Sequence, residues 1–198
     1  MLSFLPRAAA TAAEPLPALL QRLARGDRGA LEALYRQQAG PVYRYALALC
    51  SNAAWAADAT QDAFVALAQK PTAFDPTRGS LGAYLAGAAR HALLGRWREA
   101  RDERPLDEGD EGGALLEPGH AVSPETLLVR EQSGERVWAA LRALPWTFRE
   151  AVVLVDLQER PYADAARIAG VELNTLRTRL HRARLRLASL LAEAGEAP

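Results

Sequence analysis

The sequence predicts an all-α chain of two small helical domains, and three observations lead there. Much of the 49% apolar content of the 198 residues is alanine and leucine, the strongest helix formers, while the β-branched residues that favour strands are sparse. Apolar residues recur at helical spacing in two blocks. Between the blocks, RDERPLDEGDEGGALLEPGHAVSPE has no hydrophobic period and carries eight acids against Arg104 from Asp102 to Glu125, the composition of a flexible acidic linker. The expected boundaries are a disordered tail at 1–15, a first domain at 16–101, the linker at 102–123, a second domain at 124–192 and a short tail at 193–198. The two domains are expected to move independently when free.

In the first block, Leu19, Leu20 and Leu23 form an amphipathic turn ended by Gly26. Asp27 is placed to cap a helix carrying Leu31, Leu34 and Tyr35. Pro41 opens or kinks the next, with Val42, Tyr45, Ala46 and Leu49 inward. Ser51 or Asn52 caps AAWAADATQDAFVALAQ, which Pro71 ends. Ser80 caps a long helix with Leu81, Tyr84, Leu85, Ala88 and Ala92 on its buried side and Arg90, Trp97, Arg98 and Arg101 on the opposite one. In the second block, Ser123-Pro124-Glu125 supplies a cap, a first-turn proline and a favourable dipole charge for a helix running through Leu144. Pro145 introduces WTFREAVVLVDLQ.

YADAARIAGVELNTLRTRLHRARLRL, from Tyr162 to Leu187, reads as a helix-turn-helix. Ala165, Ala166 and Ala169 permit a close helix crossing, Gly170 suits a tight turn, and Val171 plugs the angle. Leu173, Leu176, Leu180 and Leu187 make one buried stripe of the second helix, leaving Arg177, Thr178, His181, Arg182 and Arg184 on the other faces. Between Arg160 and Leu190 seven arginines stand against Asp164 and Glu172, in a chain of zero net charge. Arginine is the cation suited to guanine edges and phosphate clamps, and Lys70 is the single lysine.

Asp58, Gln61 and Asp62 share one exposed helix face opposite Ala59, Ala63 and Leu67. Carboxylates repel phosphate, so in a DNA-binding chain this face points to a protein partner. Catalysis finds little support: His91, His120 and His181 are far apart, Cys50 has apolar neighbours, and there is neither a phosphate loop nor metal-ligand spacing. Neither an enzyme activity nor a cofactor, metal or small-molecule substrate is expected. Without a membrane-length apolar run or a secretory h-region, a cytoplasmic location is the expectation.

DATQDAFVAL, FDPTRGSLGAYLAGAARHALLGRWR and ALPWTFREAVVLVDLQERPYADAARIAGVELNTLRTRLHRARLRL together resemble the sigma-70 family of the extracytoplasmic-function (ECF) type, from Leu19 to Leu191. The resemblance implies a region 2 domain followed by a region 4 domain, acting as an alternative sigma factor in promoter-specific transcription initiation. It implies that Asp58, Gln61 and Asp62 bind the clamp helices of the β′ subunit of core RNA polymerase, with the β flap as a further contact. It implies that Phe74, Arg78, Ser80, Arg90, His91, Trp97 and Arg98 contact and melt the −10 element of promoter DNA. Arg177, Thr178, His181 and Arg182 match positions that read the −35 element, with Arg184 farther along as a phosphate contact. An anti-sigma factor is a further implied partner. Tyr84 and Ala68 depart from the usual aromatics, Pro161 from Ser and Asn174 from Gly. Trp97 read from its spacing alone also suits a core position. A helix-turn-helix regulator with an N-terminal sensing or dimerisation domain is the alternative that the residues leave open.

Overall fold

A computed structural model describes residues 14–102 and 132–195, and every regular element among them is helical. The N-terminal module comprises α1 (Leu16–Ala24), α2 (Arg28–Cys50), α3 (Ala53–Gln69), a 3-10 turn (Pro71–Ala73) and α4 (Leu81–Asp102). The C-terminal module comprises α5 (Gln132–Arg142), α6 (Trp146–Val152), a π turn (Val153–Leu157), α7 (Tyr162–Ala169) and α8 (Leu173–Gly195). The expected linker, and the expected start of a helix at Ser123, fall largely outside the described residues.

The caps follow the expected chemistry. Asp27 Oδ1 accepts from Gly29 N at 2.8 Å, Asn52 Oδ1 from Trp55 N at 3.0 Å, and Ser80 Oγ from Ala83 N at 3.1 Å, each satisfying a donor that a helix start leaves free. Ser51 instead closes α2 in the left-handed region, at φ 52. Pro41 does not open a new helix: α2 runs straight through it. Gly40 offers no Cβ to clash with the proline ring, and Ala30, Leu34, Val42, Tyr45, Ala46 and Leu49 continue one buried face across the site, so packing offsets the lost hydrogen bond.

α2, α3 and α4 pack mutually around Leu34, Tyr45, Leu49, Leu67, Leu85 and Leu93, with α1 laid on α2. In the C-terminal module α5, α6, α7 and α8 enclose Leu141, Leu144, Leu154, Leu176 and Leu180. α5 ends at Arg142, two residues before the expected Leu144, and the expected single helix after Pro145 widens into the π turn. Arg149 serves the join, donating to the carbonyls of Leu141 (3.0 Å), Arg142 and Leu144 (3.2 Å).

The two modules are packed against each other, contrary to the expected independence. α4 lies on α7, and α2 meets α6 and the π turn. The buried side of α4 is correspondingly wider than the expected one: Leu81 and Leu85 are buried as expected, Tyr84, Ala88 and Ala92 are only half-buried, and Ala83, Ala86, Ala89, Leu93 and Trp97 are buried besides. The second module supplies the extra cover, which a count along α4 alone does not register.

Candidate nucleic-acid interface

On α8, Leu176, Leu180 and Ala183 are buried and Leu173 and Leu187 half-buried, so the helix is fixed by one face. Gly170 makes the turn into it at φ +65, the left-handed conformation that favours glycine. Arg177, Thr178, His181 and Arg182 are exposed together on the outward face. Thr178 Oγ1 donates to the Asn174 carbonyl at 2.9 Å, one turn back along the helix. The Arg177 guanidinium lies 5.9 Å from the Tyr162 ring centroid, a cation–π contact, with a long hydrogen bond of 3.4 Å to Asn174 Oδ1. His181 and Arg182 make no ion pair among the described residues. Arg184 is held differently, by a two-point bond to Asp156 at 3.1 and 2.5 Å that pushes the guanidinium pKa up.

The N-terminal residues divide into three environments. Asp58, Gln61 and Asp62 are exposed on α3, and Arg96 of α4 reaches Asp58 at 2.8 Å and Asp62 at 3.8 Å. Arg78, Ser80, His91 and Arg98 are also exposed. Within the loop that carries Arg78, Asp75 Oδ1 accepts from Thr77 N (2.9 Å) and Thr77 Oγ1 (2.7 Å), which holds the Asp75 carboxyl below the usual range.

Phe74, Arg90 and Trp97 require correction as freely exposed contacts. Phe74 is 7% exposed and packs on Tyr84, ring centroids 5.6 Å apart, so it anchors the loop instead of projecting from it. Trp97 is also 7% exposed and meets Trp146 of α6 edge-on, with centroids 3.9 Å apart. Arg90 Nε donates to Glu150 Oε1 at 2.7 Å. Each of the last two is covered by the C-terminal module.

The cover is a cluster that sequence spacing did not reveal. Glu150 is fully buried and accepts a second hydrogen bond from the Tyr45 hydroxyl at 2.9 Å. Burial pushes the Glu150 carboxyl pKa up, opposed by Arg90 and Tyr45, and burial likewise pushes the Tyr45 hydroxyl well up. Beside it, Arg149 Nη1 donates to the Leu49 carbonyl at 2.7 Å, and Gln158 Nε2 to the Pro41 carbonyl at 3.0 Å. Arg160 lies over Gly82, its pKa lowered by burial, and Arg167 covers Gly79 so closely that a Cβ there would overlap its guanidinium. The one available sequence signal was Glu150 itself, an acid immediately before the apolar run AVVLV.

A family model described as sigma-70 region 2 matches residues 34–103, and one described as sigma-70, region 4 matches 134–187. The ECF RNA polymerase sigma factor SigM of Mycobacterium tuberculosis is 34% identical over 166 residues, 84% of this chain and 79% of the relative. SigE of Mycolicibacterium smegmatis, also an ECF RNA polymerase sigma factor, is 32% identical over 173 residues; the match covers 86% of this chain and 66% of that longer relative. Among solved structures, the sigma factor RpoE in complex with the anti-sigma factor NepR from Bartonella quintana superposes with a TM-score of 0.62 at 25% identity, covering 81% of this chain and 96% of that one. CnrH in complex with the cytosolic domain of CnrY shares the fold, with a TM-score of 0.62 at 23% identity over 89% of this chain and 96% of the other. With both regions matched in order on the two helical modules, the chain belongs to the sigma-70 family and is a sigma factor of the ECF type.

Proposed function

We propose that this sigma factor reads the −35 element with the outward face of α8 and opens the −10 element with the N-terminal module while bound to core RNA polymerase. The factor is an alternative sigma factor directing transcription initiation and is not itself an enzyme; bond formation belongs to the polymerase. The observation that supports the reading best is the strip of Arg177, Thr178, His181 and Arg182, exposed opposite the buried Leu176, Leu180 and Ala183. A cationic helix face held rigidly from behind fits the major groove.

The assignments for the other partners rest on charge and exposure. Asp58, Gln61 and Asp62 present carboxylates and an amide to a basic protein surface, for which the β′ clamp helices are the proposed partner, with the β flap meeting the C-terminal module. Arg78, Ser80, His91 and Arg98 are available to the −10 strand as the modules stand, and Arg90 and Trp97 become available when the modules separate. Cations beside an indole bind a single strand by charge and stacking together. An anti-sigma factor is a proposed regulator, and the cytoplasm the proposed location; no helix among the described residues is long and apolar enough to cross a membrane.

Run-off transcription by core polymerase with the purified chain tests the reading. Promoter-dependent transcripts that disappear when the chain is omitted are expected. Binding of operator duplex as a dimer, with no transcript stimulated from any member of a genomic promoter library, would replace the sigma reading with that of a regulator.

A further inference from the structure

We propose that Tyr162, the first residue of α7, is a positioning residue for −35 reading: its ring holds the Arg177 guanidinium ready for a guanine edge, with Asn174 as a second, weaker support. This rests on the sigma reading for the use of the α8 strip.

Tyr162 is not a core residue. It is 39% exposed, whereas Ala165, Ala166 and Ala169, on the side of α7 that packs on α8, are buried. An aromatic ring left at the surface of a short helix gains only part of what full burial offers, so its value lies in what the ring touches. The Arg177 guanidinium carbon lies 5.9 Å from the ring centroid, within the distance at which a ring face attracts a cation. The backbone under the ring is also fixed. Pro161 enters α7 at φ −53, the angle its own ring imposes, and its carbonyl accepts from Ala165 N at 2.9 Å. The buried alanines then hold α7 against α8, so the ring keeps its place relative to the strip. At its other end the ring meets a second cation of α8: Arg184, clamped by Asp156, has the Tyr162 hydroxyl as a lesser partner.

Asn174 adds a contact from the first turn of α8. Its Oδ1 accepts from Arg177 Nη1 at 3.4 Å, a long bond, and its carbonyl accepts from Thr178 Oγ1 at 2.9 Å. One residue thus touches two members of the strip. An arginine side chain surrenders rotamer freedom when it binds, and freedom already given up in the free protein is not lost again on the DNA. A guanine presents O6 and N7 together, so a guanidinium gains both bonds only when its fork is aligned with that edge. The benefit of holding Arg177 therefore falls on the preferred base pair. A phosphate contact gains less from such alignment, because a cation meets a phosphate from many directions.

The test uses the full chain assembled with core polymerase, and duplex promoters that differ at single −35 base pairs. Arg177→Ala should abolish the preference at one pair and so identify it. At that pair Tyr162→Leu should lower the preference about two- to fivefold, the range of one exposed cation–π contact, with the other pairs unaffected. Tyr162→Phe keeps the ring and should retain the preference, and Asn174→Ala should cost less than Tyr162→Leu. In the Arg177→Ala background Tyr162→Leu should change nothing further. Should the leucine variant lose helical circular dichroism, Tyr162→Gln takes its place, since the side chain is exposed. A preference unchanged by loss of the ring, or a loss spread evenly over all pairs, would overturn positioning. So would tighter binding of every promoter, the sign of a ring that keeps Arg177 away from the groove. If Arg177→Ala itself weakens all promoters alike, base reading by Arg177 fails and positioning with it, while transcripts from the wild-type assembly report separately whether the sigma reading stands.

Discussion

Arg177 and Arg182 differ from Arg184 in what already holds them. The first leans on the Tyr162 ring and the second makes no ion pair, whereas Arg184 is clamped by Asp156. A base-reading arginine must deliver its guanidinium to one position, and a ring stacked beneath it restricts the rotamers it would otherwise sample. Truncation of Arg177 or Arg182 to Ala should therefore cost about 1–3 kcal/mol on the preferred −35 sequence and relax the preference at a single base pair. Arg184→Ala should weaken all sequences alike and flatten the salt dependence, because a side chain shared with Asp156 is free to serve only as a phosphate contact. Binding to a panel of single-base −35 variants distinguishes the two, and a uniform loss for Arg177→Ala would make it a phosphate anchor as well. The alternation of Leu173, Leu176 and Leu180 with these residues made the strip legible in the sequence. The Arg184–Asp156 pair was not, since its partners lie 28 residues apart.

At the scale of one helix, α3 has a face that its own period predicted. Ala59, Ala63 and Leu67 are buried and Asp58, Gln61 and Asp62 exposed, as helical spacing requires. What the helix alone did not predict is Arg96, which approaches both carboxylates from α4. These pairs are solvent-exposed and contribute little to stability, so a basic partner surface can displace Arg96 at small cost. Asp58→Arg combined with Asp62→Arg should lower the affinity for core polymerase at least tenfold with unchanged helical circular dichroism. Arg96→Ala should leave that affinity equal or raise it. An unchanged affinity in the double charge reversal would remove α3 from the polymerase interface.

For the whole molecule, the docking of the modules should depend on pH through Glu150. Burial raises its pKa against the pull of Arg90 and Tyr45, with Arg179 as a further nearby charge. A carboxyl with a higher pKa in the docked state than in water binds a proton more tightly when docked. Its favourable contribution is complete below the ordinary value of 4.5 and is lost as the pH rises through the raised one. The closed form of the wild type should therefore gain stability relative to Glu150→Gln as the pH falls from neutrality toward that ordinary value. Parallel thermal melts of the two proteins over this range measure the difference, and a difference that stays constant would show that Glu150 does not change protonation on docking.

The sequence by itself determined most of the helices, their order and two of their exposed polar faces. Those features depend on contacts a few residues apart: Asp27, Asn52 and Ser80 cap the turn beside them, and the leucines of α8 define their own stripe. Pro41 marks the limit of such local rules, because the buried face running past it outweighs the hydrogen bond it removes. Only the tertiary structure decided the fate of Arg90, Trp97 and Glu150. Amphipathic spacing shows that a side chain can be buried, but not which surface buries it, so Trp97 suited a core position and a DNA contact equally. The pairs that settle the closed arrangement, Tyr45–Glu150 and Arg90–Glu150, join residues 105 and 60 positions apart. No periodicity within one helix encodes such a pair; it exists because packing brings two modules together and the buried carboxylate must then be hydrogen-bonded.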